Sequence, residues 1–226
     1  MFTTVLIDVD NTLLDFHKCS MQSLQQGFAD FGLVWTEDFP VTFHTVNDGL
    51  WRQLEAGELP SRKALFDIRF DRIFEAAGIH CDGKAFEARF QQLLGESHEP
   101  VEGALELLQY LAGKYTLCAA SNSAYQHQIR RLDAAGMLPY FSHVFVSEEA
   151  GVTKPDPGFF RWCFEKLGNP DKDNVVMIGD SLTADVAGCE TFGIACCWFN
   201  FEGRPAPEDL RAWKVVSTLD EVKNIL

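Results

Sequence analysis

Short apolar runs that end in polar or acidic residues alternate with helical periodicity along most of this chain, and one long stretch interrupts the alternation. The first run, Val5-Leu6-Ile7, leads directly into Asp8, with Asp10 two residues further on. An unbroken apolar run of this length is the pattern of a buried parallel strand. Strand period 2 then places Asp8 and Asp10 on one side of the chain as it leaves the sheet, and Asn11-Thr12 supplies turn chemistry. From about residue 16 to 96 the spacing of apolar residues is helical throughout, with helices expected at 19–31, 40–55, from about 61, and at 84–94. Gly32, Gly57, Gly78 and Gly95 stand at or near their ends. Helices joined by short connections containing glycine form an antiparallel bundle.

From Pro100 onward helix and strand alternate. Helices are expected at 101–112, 124–135, 157–167, 183–192 and 219–226, and strands at 115–120, 143–146, 175–178, 194–199 and 214–216. This alternation is the signature of an α/β protein with a parallel sheet and helices on both faces. The opening strand needs partners, and only this second region supplies them. The expected architecture is therefore a Rossmann-like three-layer core, residues 1–15 plus 97–226, with a helical-bundle cap, residues 16–96, inserted after the first strand. The natural place for such an insertion is over the carboxyl ends of the strands, where open α/β sheets bind ligands.

Composition narrows the functions available. At 226 residues the chain buries most of its unfolded surface, so it needs no disulfide or structural metal to fold. The net charge of −14 argues against nucleic-acid polymers and anionic membrane surfaces as partners. It leaves room for a small phosphorylated metabolite, because one metal ion and one lysine make a local positive pocket in an acidic protein. Seven cysteines with no C-x-x-C, mostly in apolar stretches, fit reduced thiols in the cytoplasm. The amino terminus runs straight into a strand with no basic segment before it, so no signal peptide is expected.

The later strands also end in polar residues. Residues 115–120 run into Ser121-Asn122-Ser123, and 175–178 run into Gly179-Asp180-Ser181, with Asp185 five residues after Asp180. Between them, Lys154 precedes Pro155 in a loop that enters a helix. Singly, each has an ordinary explanation as a helix cap, a surface loop residue or a first-turn acid. Together they place an acid pair, a hydroxyl with an amide, a lysine and a second acid pair at the carboxyl ends of parallel strands or in the loop before a helix. Phosphoryl transfer at a carboxylate requires that inventory.

On these residues the chain resembles the haloacid dehalogenase (HAD) superfamily, in its phosphatase form with a type 1 helical cap. The four superfamily motifs correspond to Asp8-Val9-Asp10-Asn11-Thr12, Ser121-Asn122, Lys154-Pro155 and Gly179-Asp180 with Asp185, in the right order. Within the superfamily it is most similar to the bacterial 5′-nucleotidase branch, through 46–51, 147–156 and 168–171. The resemblance implies Asp8 as nucleophile and Asp10 as general acid and base. It implies one Mg²⁺ on the Asp8 and Asp180 carboxylates and the Asp10 backbone carbonyl. Ser121, Asn122 and Lys154 would bind the substrate phosphate, and Asp185 would act one layer back, on metal-bound water or on Lys154.

The implied activity is Mg²⁺-dependent hydrolysis of nucleoside 5′-monophosphates through an aspartyl-phosphate. The alternatives are a phosphatase for sugar phosphates or phosphoglycolate, a 2-haloacid dehalogenase, and a catalytically silent binding module. Asp10 favours phosphate esters, since dehalogenases usually carry another residue there. The commonest phosphatase form has glycine where Asn11 stands, which weakens a mutase reading. In the cap, Phe43, Asn47 and Trp51 recur at steps of four on one helix face. They form either part of the cap core or, for Asn47 and Trp51, a wall of the substrate pocket that stacks a base.

Overall fold

A computed structural model of the chain describes residues 1–226. In chain order the elements are β1 (Thr4–Ile7), α1 (Phe16–Asp30), α2 (Phe39–Glu55), α3 (Arg62–Ala77), α4 (Gly83–Glu96), α5 (Ala104–Leu111), β2 (Thr116–Ser121), α6 (Tyr125–Ala134), β3 (His143–Val146), α7 (Ser147–Ala150), α8 (Pro157–Lys166), β4 (Val175–Gly179), α9 (Ala187–Phe192), β5 (Ala195–Phe199), β6 (Lys214–Val216) and α10 (Leu219–Val222). The strands form one sheet in the order β3-β2-β1-β4-β5-β6, and every neighbouring pair is parallel. The chain is thus an α/β protein with a parallel sheet.

Alternation within β1 divides the core into two layers. Val5 and Ile7 face a cluster with Leu107, Leu108 and Leu111 of α5 and Leu132 of α6. Leu6 points the opposite way, into a cluster with Phe159, Phe160 and Cys163 of α8 and Cys189 of α9. Period 2 in an apolar strand covered on both faces has this consequence. Strand β1 is central, with β2 on one side and β4 on the other. Connections leave it in both directions, and this crevice is where open α/β sheets bind ligands.

The chain divides into two compact units, Met1–Phe16 with His98–Leu226, and His17–Ser97. In the first, the two segments that lead into and out of the second run side by side: Val101 N–H donates to the Leu13 carbonyl, and Asp15 N–H to that of Glu99. No helix is long and apolar enough to cross a membrane.

Several element bounds differ from those expected, each for a local reason. Helix α5 starts at Ala104 because its cap, Gly103, sits at φ 80°, outside the helical region. The helix expected at 183–192 begins as a π-turn over Leu182–Val186 before it becomes α9. Helix α10 ends at Val222, and the residues beyond it are tied down by the Tyr110 hydroxyl on the Lys223 carbonyl and the Tyr115 hydroxyl on that of Leu226. Helix α7 is a single turn that no periodicity announces.

The second unit has a core of phenylalanines. Phe70 packs on Phe43, Phe74, Phe86 and Phe90, and Phe28 on Phe39 and Phe86. Set into this core is a buried ion pair. Arg69 of α3 donates to both carboxylate oxygens of Glu87 on α4, at 2.8 and 2.6 Å. Its remaining Nη1 reaches the Asn47 side-chain oxygen on α2 at 3.2 Å. The guanidinium also lies over the rings of Phe66, Phe70 and Phe90. Two buried charges hold three helices in register, provided each keeps its partner. Arg69→Met should lower stability to chemical denaturation by about 3–5 kcal/mol, since it strands Glu87. Arg69→Met with Glu87→Leu should recover much of that loss. Equal losses for the single and double variants would contradict this account.

Candidate active site

The site is built where β1, β2 and β4 end. The ladder continues one residue past β1, with Asp8 N–H donating to the Ile178 carbonyl at 2.9 Å. Asp8 is thereby aimed out of the sheet. The turn after it folds back on itself: the N–H groups of Leu13 and Leu14 both donate to the Val9 carbonyl. Asn11 lies at φ 59° in this turn. Asparagine tolerates that left-handed conformation better than most side chains, so it can stand where the commonest form of the motif has glycine.

Lys154 occupies the centre. Its ammonium donates at 2.7 Å to Asp8 Oδ1, to Asp185 Oδ1 and to the Ala120 carbonyl. An ammonium has three hydrogens, and all three are engaged here. The side chain is 2% exposed. Burial alone would lower its pKa, but the carboxylates of Asp185 and Asp8 raise it above the usual lysine range, so the positive charge is fixed. The loop carrying it is held by Asn122, whose side-chain oxygen accepts from Lys154 N–H at 2.7 Å while its amide donates to the Lys154 carbonyl at 2.9 Å.

The second acid pair is placed by the π-turn. Ser181 Oγ accepts from Ala184 N–H at 3.0 Å, and both Asp185 N–H and Val186 N–H donate to the Ser181 carbonyl. This wide turn swings Asp185 back over the end of β4. Its Oδ2 accepts from Ser181 N–H at 3.1 Å, so each of its oxygens has a donor. A Cβ on Gly179 would lie 2.2 Å from Asp185 Oδ2, so only glycine fits beneath this carboxylate. The Asp180 carbonyl accepts from the Trp198 indole N–H at 2.9 Å and from Arg204 Nη2 at 2.8 Å.

One oxygen each from Asp8, Asp180 and Asp185 lie within 4.8 Å of one another. Three carboxylates against one ammonium leave the cluster short of positive charge. Burial pushes the Asp8 carboxyl up to about 7, against the lowering pull of Lys154. Burial and then repulsion from Asp8 and Asp185 raise Asp180 well above the usual carboxylate range. An all-oxygen donor set with excess negative charge suits a small hard divalent cation such as Mg²⁺.

Asp10 faces a different environment. Its Oδ1 is paired with Arg131 Nη1 at 2.5 Å, and its Oδ2 accepts from Gln128 Nε2 at 3.0 Å. Burial would raise its pKa, but Arg131, His127 and Gln128 together hold it below the usual carboxylate value. Gln128 also donates to Ser121 Oγ at 2.8 Å.

Among the residues expected from sequence, the structure brings together Asp8, Asp10, Ser121, Asn122, Lys154, Asp180 and Asp185. Asn47 and Trp51 belong to the other unit. Asn47 is buried, its amide engaged by Arg69 and Asp48. Trp51 is partly exposed and packs edge-on to Phe66. Sequence reasoning missed Gln128, Arg131, Trp198 and Arg204. The first two carried a faint signal: polar residues three apart on the helix that follows Ser121-Asn122.

The acid cluster predicts a pH dependence. Asp8 and Asp180 bind protons more tightly folded than unfolded. The Asp8 contribution to stability is complete below about pH 4 and is lost as pH rises through about 7, and the raised Asp180 acts in the same direction. A divalent cation needs these groups ionised and binds only the folded site. Mg²⁺ should therefore raise the melting temperature more at about pH 8 than at about pH 5, and Asp180→Asn should remove most of the shift. A Mg²⁺ shift that is equal at both values, or unaffected by the substitution, would contradict this reading of the cluster.

The pattern of the haloacid dehalogenase-like hydrolases matches residues 2–193. The HAD-hydrolase YfnB of Bacillus subtilis (strain 168) is 32% identical over 225 residues, covering 100% of this chain and 95% of that protein. Its crystal structure, bound to magnesium and showing interdomain movement, has a TM-score of 0.94, covering 100% of this chain and 98% of that one. The pyrimidine 5′-nucleotidase YjjG of Escherichia coli (strain K12) is 34% identical over 223 residues, 98% of this chain and 96% of that protein. The pyrimidine 5′-nucleotidase PynA of Streptococcus pneumoniae (strain ATCC BAA-255 / R6) is 34% identical over 197 residues, 87% and 83% of the two chains. With that family pattern over most of its length and full-length relatives above 30% identity, the chain belongs to the haloacid dehalogenase-like hydrolase family.

Proposed function

We propose that this hydrolase is a Mg²⁺-dependent phosphomonoesterase that dephosphorylates nucleoside 5′-monophosphates in the cytoplasm. The observation that carries the reading is the pair of acids in unlike settings two residues apart. Asp8 is bound to a lysine and lies within 4.8 Å of the Asp180 and Asp185 carboxylates, whereas Asp10 is held separately by Arg131 and Gln128. Two carboxylates in different environments suit two chemical roles.

In this mechanism Asp10 first takes up a proton against the pull of Arg131, an Asp8 oxygen attacks phosphorus, and the bond to the ester oxygen breaks as Asp10 delivers that proton to it. Asp10 then takes a proton from the water that attacks the aspartyl-phosphate, which returns Asp8 to its carboxylate. Ser121 and the Asn122 backbone N–H hold phosphate oxygens. Lys154 keeps a fixed positive charge beside Asp8; it contacts a phosphate oxygen by exchanging one of its three present bonds. Asp185, with both oxygens engaged, acts by orienting Lys154. The carboxylates of Asp8 and Asp180 and the backbone carbonyl of Asp10 would hold Mg²⁺, which would supply the charge that lets a carboxylate approach a phosphate dianion.

The nucleotide preference rests on the two pyrimidine 5′-nucleotidases among the relatives. Trp51, with part of its surface free, is a better candidate to contact a base than Asn47, whose amide is already engaged. The cytoplasmic assignment is supported by seven cysteines, none of them paired.

Phosphate release over a panel of phosphomonoesters at limiting substrate tests the proposal. Nucleoside 5′-monophosphates should turn over faster than sugar phosphates, and Asp8→Asn should lose at least ~10³-fold. Faster turnover of sugar phosphates would refute the nucleotide preference. Activity no greater than that of Asp8→Asn would refute the phosphatase reading.

A further inference from the structure

Two buried polar residues lie against the site without belonging to any of its motifs. Gln128 and Arg131 are three apart on one face of α6, and they are 0% and 1% exposed. Burying a guanidinium and an amide is costly unless their hydrogens find partners. Here the partners of Gln128 Nε2 and Arg131 Nη1 are side chains of the proposed catalytic groups and Gln128 itself. Gln128 Nε2 has two hydrogens; one goes to Asp10 Oδ2 at 3.0 Å and the other to Ser121 Oγ at 2.8 Å. Arg131 Nη1 likewise divides its two hydrogens between Asp10 Oδ1 at 2.5 Å and Gln128 Oε1 at 3.1 Å. The bond from Arg131 also fixes which way round the Gln128 amide sits, since only its oxygen can accept it.

Two consequences follow from this wiring. Both Asp10 oxygens are held from behind, while its side chain remains 32% exposed, so the carboxyl is pinned yet open to an approaching ester. Ser121 Oγ, already accepting from Gln128, has its single hydroxyl hydrogen free to donate away from α6.

Building on the phosphatase reading, we propose that Gln128 and Arg131 are positioning residues. Together they fix the acid/base carboxyl of Asp10, and Gln128 ties it to the phosphate-binding hydroxyl of Ser121. The group that protonates the leaving oxygen and a group that holds the phosphate are thereby kept in register across the bond that breaks. The atoms balance as in the mechanism above: the Asp10 proton passes to the departing alkoxide, and a proton from water restores it.

The test is the dependence of bond cleavage on the leaving group. An aryl leaving group departs with little help from an acid, whereas an alkyl one needs its proton. A general loss of fold affects both alike. Release of the alcohol in a single turnover is followed by rapid quench for an aryl phosphate and an alkyl phosphate in the Mg²⁺-loaded protein. Arg131→Met should lose roughly tenfold to a hundredfold on the alkyl ester, and at least several-fold less on the aryl ester. Arg131→Lys, which keeps the buried charge, should recover part of the alkyl rate. Asp10→Asn combined with Arg131→Met should be no slower on the alkyl ester than Asp10→Asn alone, because residues that act through one group are not additive. Gln128→Met should show the same leaving-group bias and also weaken substrate binding through Ser121.

Equal losses on both esters, or full additivity with Asp10→Asn, would overturn the proposal. If Arg131→Met does not fold, Arg131→Lys and Gln128→Met decide the matter by the same comparison. Wild-type protein that cleaves neither ester would refute the phosphatase reading itself, and wild-type activity with unbiased variants would refute only the positioning role.

Discussion

A single buried ammonium organises the core of this protein. Lys154 reaches three oxygens on three different elements: Asp8 after β1, the Ala120 carbonyl in β2, and Asp185 in the turn after β4. A charge buried this deeply is tolerable only because each hydrogen has an acceptor and two of those acceptors are charged. The rest of the site follows from this requirement. Asn122 clamps the lysine's own backbone, the π-turn brings Asp185 back over the sheet, and Gly179 leaves the room that Asp185 needs. The arrangement also leaves a shortage of positive charge among three acids. An overall charge of −14 and a site for phosphate esters are therefore compatible, because the deficit is local and so is its remedy.

Two polar systems with different tasks sit side by side. Asp8, Lys154, Asp180 and Asp185 form one, which in the proposed mechanism handles phosphorus and metal. Asp10, Gln128, Arg131 and Ser121 form the second, which in that mechanism joins proton transfer to phosphate holding. Both depend on β1 lying between β2 and β4, so that residues more than a hundred positions apart converge at neighbouring strand ends.

Much of this was legible in the sequence because apolar runs that end in acids carry two signals at once. Val5-Leu6-Ile7 announced a buried parallel strand, and Asp8 and Asp10 announced what lay at its end. The same logic found Ser121 and Asp180, while Lys154, in a loop that enters a helix, and Asp185, five residues after Asp180, were found by their place among the other motifs. Gln128 and Arg131 stayed hidden because a glutamine and an arginine on an amphipathic helix look like a solvated face; only the fold shows that this face meets Asp10. Arg69 and Glu87 were silent for the same reason, as long-range ion pairs leave no periodic mark. In the sequence the π-turn looks like an ordinary helix, because its i to i+5 bonds go with side-chain capping by Ser181 and Asp185 rather than with apolar spacing.

The central claim is that Asp8 is the nucleophile and Asp10 is not. Trapping the covalent intermediate tests it most directly. The protein would be quenched during turnover with Mg²⁺ and an aryl phosphate, reduced with borohydride, digested, and its peptides sequenced by mass spectrometry. The account predicts the reduced side chain at residue 8 alone, accumulating when Asp10→Asn slows hydrolysis of the intermediate. Turnover with the label at Asp10, Asp180 or Asp185, or with no label at any carboxylate, would contradict it.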